Sequence, residues 1–280
     1  MLSAWSGLYA SHVLRRQAGC VYAETAAAVY CHVSVIHVHF LEQVGMIARN
    51  IPSEALRYLS ERHWKRHFVK QLAAHQVTVV FDVGANTGQY TEGLRKAGYQ
   101  GRIISFEPLS QPFSRLENRA AKDALWNCSR YAIGDFDGTI RVHVAGNAGQ
   151  SSSVLPMLKS HQDAYPPANY VGVEEVPIHR LDSVAPQMLH STDVSFLKID
   201  VQGFEKQVLE GSKETIENRC AGLQLELSFL PLYEGSMLIP EALELVYSLG
   251  FTLTGLLPCF TDPRDGKMLQ ADGIFFREDN

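Results

Sequence analysis

The sequence predicts an α/β protein built on a doubly wound, mostly parallel sheet of seven strands behind a helical N-terminal cap. Three observations predict it. Residues 78–83 are β-rich and apolar apart from Asp82, the pattern of a strand covered on both faces, and Gly84 and Gly88 follow closely. From Val77 onward, strand-like and helix-like segments alternate, as parallel strands joined by crossover helices require. The last two strand-like segments, 251–257 and 272–277, have only the turn Asp262-Pro-Arg-Asp-Gly266 between them, so one runs antiparallel to the rest.

In chain order, residues 1–76 show no such alternation and read as helices over 1–30, 35–49 and 53–74, a cap on the α/β domain of 77–280. Ser53, after Pro52 and before a helix-forming run, is a fitting N-cap. Arg57, Glu61, Arg62, Lys65, Arg66 and Lys70 form a solvated helix face. His63 and His67 have the i, i+4 spacing of metal ligands, but His-Trp-Lys-Arg-His lacks the central glutamate of a zinc protease. They read as surface or interface histidines.

Beyond the first strand, 91–97 suits a helix and 102–106 a second strand that ends at Glu107. A helix over 110–123 follows, with Phe113, Leu116 and Ala120 on one face. Residues 126–132 read as a third strand, 134–138 as a turn, and 139–145 as a strand returning in a hairpin. Residues 145–172 form a long stretch rich in Gly, Ser, Pro and Asn, where substrate contacts belong. An extended piece over 173–179 and a short helix at 181–183 lead to the buried strand 194–201. A helix then runs to Glu210, a strand covers 223–228, and 240–249 is an amphipathic helix with Ala242, Leu245, Val246 and Leu249 facing inward.

Composition narrows the function. With 46% hydrophobic and 20% charged residues in 280, the chain is a globular soluble protein. A net charge of −5 without a long basic run argues against a nucleic-acid backbone as the main partner. Residues 20–40 are apolar but interrupted by Glu24, His32, His37 and His39, which argues against a signal peptide or membrane span. The five cysteines are odd in number, scattered and without a C-x-x-C pair, as expected of reduced thiols in the cytoplasm.

A carboxylate at the tip of the second strand is placed to accept hydrogen bonds from a ribose diol, so the ligand expected here contains adenosine. Taken together, Val79-Val-Phe-Asp-Val-Gly-Ala-Asn-Thr-Gly-Gln-Tyr90, Phe106-Glu-Pro108, Ala132-Ile-Gly-Asp135, Ser151-Ser-Ser153, Leu181-Asp-Ser183 and Lys198-Ile-Asp-Val-Gln-Gly-Phe-Glu205 resemble the successive motifs of FkbM-type methyltransferases. The resemblance covers 77–277 and leaves out the N-terminal helices. It implies the class I methyltransferase (Rossmann-like) fold, S-adenosylmethionine as cofactor, and O-methylation of a sugar or natural-product-like acceptor. It also implies Asp135 as an adenine contact.

Residue chemistry points the same way. A nicotinamide site uses three glycines to bring a pyrophosphate onto a helix N-terminus, whereas this turn begins Asp82-Val-Gly84. Asp82 suits the ammonium of the cofactor's amino-acid end, backbone amides from Asn86 to Gly88 suit its carboxylate, and Glu107 suits the ribose. Lys198 and Asp200 project from one strand face; Glu226, on the strand expected alongside, is one candidate charge partner for Lys198. Asp200, at a strand's carboxyl end, is expected near the transferring methyl. His179 is a second candidate base, and Lys198 a third catalytic candidate. Ser151, Ser152, Ser153 and Glu226 are candidate acceptor contacts. Glu205 reads as a helix cap. No metal ligand set is evident, so none is expected. The alternatives are a nicotinamide-dependent oxidoreductase, or a non-catalytic scaffold dimerising through its N-terminal helices.

Overall fold

A computed structural model describes residues 53–278, with side chains from His63 onward. The helices expected over 1–30 and 35–49, Ser53's side chain, Cys20 and Cys31 lie outside what is described. The chain forms two compact units, Met1–Ser60 and Glu61–Asn280. The site lies wholly within the second.

Seven strands form the main sheet: β1 (Val79–Val83), β2 (Arg102–Phe106), β3 (Trp126–Ser129), β7 (Ser195–Ile199), β8 (Cys220–Ser228), β9 (Phe251–Thr261) and β10 (Met268–Arg277), in the order β3-β2-β1-β7-β8-β10-β9. The first five are mutually parallel, and β10 runs antiparallel to both β8 and β9. The order reverses between β1 and β7, and that switch point opens a crevice beyond the carboxyl ends of the strands.

Alternation within β1 divides the core into two layers. Val79, Phe81 and Val83 face a cluster with Leu197, Ile199, Leu223, Leu225, Val246 and Phe275. Val80 faces the opposite cluster, with Phe68, Leu72, Leu94, Leu116, Trp126, Phe196 and Phe276. Phe68 and Leu72 come from α1 (Ser53–Ala74). Leu94 comes from α2 (Gln89–Ala97) and Leu116 from α3 (Ser110–Ala120). α2 ends at Gly98 with φ 105°, after Arg95 and Lys96 in the last turn, which suit the negative end of the helix dipole.

A second, three-stranded sheet departs from the sequence expectation. The stretch read as one strand over 126–132 is two: β3, then β4 (Ala132–Ile133) in the order β4-β6-β5. β5 (Gly138–Ala145) does not fold back on its predecessor. It pairs antiparallel with β6 (Tyr170–His179), so the loop 146–169 is carried at the end of a long β-ribbon. That loop contains a short helix, α4 (Lys159–Ala164). Past α5 (Leu181–Val184) and α6 (Glu205–Glu210), an unanticipated helix α7 (Lys213–Arg219) precedes β8. Asp182 caps it, accepting from the Thr215 amide at 2.8 Å and its hydroxyl at 2.7 Å. α8 (Ile239–Ser248) buries Ala242 and Val246.

Candidate active site

The crevice at the switch point is a cavity of about 490 Å³, bounded by the carboxyl ends of β1, β2, β7 and β8 and by the loop at the end of the ribbon. Gly84 opens it with φ 75°; a side chain there would bring Cβ to 1.8 Å from the Asp200 carbonyl oxygen, so only glycine fits. The Gly84 and Ala85 amides both donate to the Phe106 carbonyl oxygen at 3.0 Å, locking the turn against β2.

One register row carries a buried polar set across the sheet. Asp82 lies opposite Ser105 on β2 and Lys198 on β7, and Lys198 lies opposite Gln224 on β8. Equal register puts these side chains on one face. Lys198 Nζ reaches Asp82 Oδ1 at 3.1 Å and Asp200 Oδ2 at 3.6 Å, and it donates to the Gly84 carbonyl at 3.0 Å. Thr91 and Ser105 hydroxyls approach Asp82 Oδ2 at 3.3 Å. Asp82 has no solvent exposure. The neighbouring carboxylates hold the Lys198 ammonium's pKa above its ordinary value despite burial, so it remains a cation. The Lys198–Glu226 pair expected from strand adjacency is replaced by Lys198–Asp82, because Asp82 stands directly across on β1. Asp82 therefore anchors the turn from beneath and does not line the cavity.

Glu107 does line it. Oε2 accepts from the Asn86 amide at 2.8 Å and Oε1 from the Leu109 amide at 2.9 Å, in a buried position. Burial pushes its pKa up to about 7. The amide of Asn86 is therefore taken, Thr87's donates to Gln89 Oε1 at 3.1 Å, and Gly88's to the Ala85 carbonyl at 2.8 Å. The expected carboxylate-binding amides are consumed within the turn. Asn86 lines the cavity, and Gly88 lies outside it, under Trp126.

Beside Glu107, the residues Phe106, Tyr131, Ile133 and Phe204 form an apolar slot. Asp135 is exposed on the turn beyond it and does not line the cavity. His179 is also outside: its Nδ1 is 3.1 Å from Asp137, and its ring packs edge-on to Tyr131. Asp137 gathers Ser183 and Arg180 as well, and so it ties the short helix α5 to the turn before β5.

At the far end, Asp200, Glu226 and Asp272 line the cavity with Gln202, Gln224 and Gln270. Gln202, at φ 57°, bridges the first two: its Nε2 donates to Asp200 Oδ1 and to Glu226 Oε2, each at 2.9 Å. Its Oε1 accepts from Tyr233 at 2.7 Å. Tyr90 donates to Gln224 at 2.9 Å. Burial, with repulsion from Asp200, pushes Asp272 up to about 6. Glu205 is not in this group; its Oε1 accepts from the Val201 and Gly203 amides and shapes the loop after β7. All three serines line the cavity, but their hydroxyls are engaged. Ser151 accepts from Asn147 at 2.9 Å, Ser152 from the Ala145 amide at 2.9 Å, and Ser153 donates to the Gln202 carbonyl at 2.7 Å. Tyr131, His161, Gln270 and Asp272 belong to none of the sequence motifs, and Tyr90, Gln202 and Phe204 lie within the motifs at 79–90 and 198–205 without standing out as site residues. Among the described residues, no group of three His, Cys, Asp or Glu is arranged to hold a metal ion, and no helix is long and apolar enough to cross a membrane.

The seven-stranded sheet with its antiparallel β10 and a ligand crevice at the β1/β7 switch is the class I methyltransferase fold. The sequence model of the methyltransferase FkbM domain matches residues 82–253, more than half of the chain, and the protein belongs to that family. The chain is 28% identical over 187 residues to the 2-O-methyltransferase NoeI of Sinorhizobium fredii, covering 64% of this chain and 74% of NoeI. It is also similar to the crystal structure of methyltransferase FkbM from Methylobacillus flagellatus KT, with 15% identity and a TM-score of 0.44, over 70% of this chain and 43% of that one. Precorrin-6y C5,15-methyltransferase from Geobacter metallireducens GS-15 aligns at 11% identity and a TM-score of 0.39, over 72% of this chain and 81% of that one.

Proposed function

We propose that this cavity binds S-adenosylmethionine and that the protein transfers a methyl group to a hydroxyl of a sugar or related small molecule. The charge of the cavity carries the reading. Four carboxylates line it, from Glu107, Asp200, Glu226 and Asp272, while its one ammonium, Lys198, is held by Asp82. Such a site favours a cationic ligand and opposes a pyrophosphate. The spent turn amides speak equally against a nicotinamide dinucleotide, which needs them free.

The residues divide along the crevice. Phe106, Tyr131, Ile133 and Phe204 would enclose an adenine, and Glu107 would accept from the ribose hydroxyls. When bound, S-adenosylmethionine supplies a methyl group activated by its sulfonium. Asp200 orients the acceptor hydroxyl, with Lys198 and Gln202 fixing the carboxylate. Holding the acceptor oxygen in line accounts for much of the expected acceleration. Carboxylates and amides around the far end offer the dense hydrogen bonding a polyol needs, and NoeI, which acts as a 2-O-methyltransferase, supports an oxygen acceptor. We place the reaction in the cytoplasm, in keeping with the free thiols of Cys128, Cys220 and Cys259. Incubation with tritiated S-adenosylmethionine and a panel of glycans and small polyols tests this directly. Label in an ether-linked methyl is the expected product, and label confined to nitrogen or carbon would refute O-methylation.

A further inference from the structure

Methylation of a neutral hydroxyl releases a proton, which an atom of the site must receive. We propose that Glu226 is that atom's owner: its Oε1 takes the acceptor proton as the methyl transfers. The inference rests on the methyltransferase reading of the same cavity.

Position argues first. Strands in a sheet lie about 4.8 Å apart, so Glu226 on β8, three strands from Glu107 at the end of β2, stands about 14 Å along the crevice. That is past the ribose and at the acceptor end. Mounting argues second. Oε2 of Glu226 is fixed by two neutral amide donors, Gln202 Nε2 at 2.9 Å and Gln270 Nε2 at 2.6 Å. Oε1 has only the thiol of Cys259, at 3.9 Å. One oxygen is held and the other is left to act. Asp200 is mounted differently, with Gln202 on one oxygen and the Lys198 ammonium beside the other, so neither oxygen is left without a partner. A third observation marks this end as a place for a polar ligand. His161 lines the same cavity, is 2% exposed, and its Nδ1 has no hydrogen-bond partner. A buried polar atom left unpaired is costly unless a ligand satisfies its surroundings.

The charged and titratable groups acting on Glu226 are Asp200, Glu205 and Asp272, with Cys259 beside it. Burial and these three carboxylates push its pKa well above the ordinary carboxylate range. In the step itself, the acceptor oxygen forms its bond to the methyl carbon while the carbon–sulfur bond breaks and its electron pair stays on sulfur. The hydroxyl proton passes to Glu226 Oε1. A sulfonium nearby favours the ionised carboxylate, so binding the cationic cofactor readies the base.

That coupling is measurable without an acceptor. Calorimetry in buffers of low and high ionisation enthalpy counts the protons released on binding S-adenosylmethionine and on binding S-adenosylhomocysteine, which lacks the positive sulfur. Wild type is expected to release more protons with the former. Glu226→Gln, which keeps an acceptor for both glutamines, is expected to bind S-adenosylhomocysteine within about threefold of wild type and to lose the difference, with Glu226→Asp restoring part of it. Methyl transfer by the Gln variant should fall by about 10²-fold or more. An unchanged difference in proton release in Glu226→Gln would overturn the assignment. Failure of wild type to bind either compound would instead remove the methyltransferase reading beneath it.

Discussion

At the residue scale, the pair Lys198–Asp82 shows how the site is supported from below. Two opposite charges sit in a layer otherwise made of Val80, Leu94, Trp126 and Phe196. Breaking such a pair leaves an uncompensated buried charge and costs about 3–5 kcal/mol. Lys198→Met is therefore expected to lower stability by that amount in urea unfolding, and Asp82→Asn in the same background should recover part of the loss. An additive double variant would mean that the two charges do not depend on each other. Sequence alone showed that both residues were buried strand charges. It could not show that they meet, because strand neighbours and register are properties of the folded sheet. For the same reason Lys198 was matched to Glu226, and Asp82 was placed against the ligand when its side chain points under the turn. Glu107 was legible, since a carboxylate ending a strand after a glycine turn has few places to go. Asp135 and His179 lie outside the cavity: Asp135 follows β4, a two-residue strand that leaves almost no periodic trace, and His179 ends β6 where it pairs with β4.

At the element scale, the β1–Gly84–α2 unit is the part the sequence made plainest. Its apolar run, positive-φ glycines and amphipathic helix agree with one another at every level. Gly84→Ala tests the packing of this turn. The added methyl would enter the Asp200 carbonyl, and a backbone atom cannot yield as a side-chain tip does. We expect a loss of ~3 kcal/mol or more in unfolding stability, or failure to fold; a well-folded variant of wild-type stability would contradict the geometry. The ribbon of β5 and β6 was less legible. Val171 and Val173 of β6 are exposed and Val176 and Ile178 are buried, so the strand passes from solvent onto the protein and blurs its own alternation. The ribbon carries the loop whose Ser151 to Ser153 and His161 line the cavity.

At the scale of the whole molecule, the accumulated buried acid gives the ligand-free protein a pH dependence of definite sign. Glu107 and Glu205 are each raised to about 7 and Asp272 to about 6, mainly by burial. Their folded pKa values lie above the unfolded ones, so the folded state binds more protons between about pH 4.5 and 7. Stability from these groups is present below that window and is lost as pH rises through it. His161, lowered to about 4 by burial, works in the opposite sense below about pH 6.5, as one group against three. Ligand-free protein should therefore resist urea better at pH 5.5 than at pH 8, each of the two glutamates contributing about 2 kcal/mol to the difference. Greater stability at pH 8 would show that these carboxylates are ionised and solvated in the folded protein.

The central claim is that an acid-lined crevice at the β1/β7 switch takes a cationic adenosine ligand and has no place for a pyrophosphate. Titration calorimetry of the full chain with S-adenosylmethionine and with NADH, each repeated on Glu107→Ala, tests it most directly. Micromolar binding of S-adenosylmethionine that is lost in the variant is expected, with no heat from NADH. Binding of NADH, or of S-adenosylmethionine undiminished by Glu107→Ala, would contradict it.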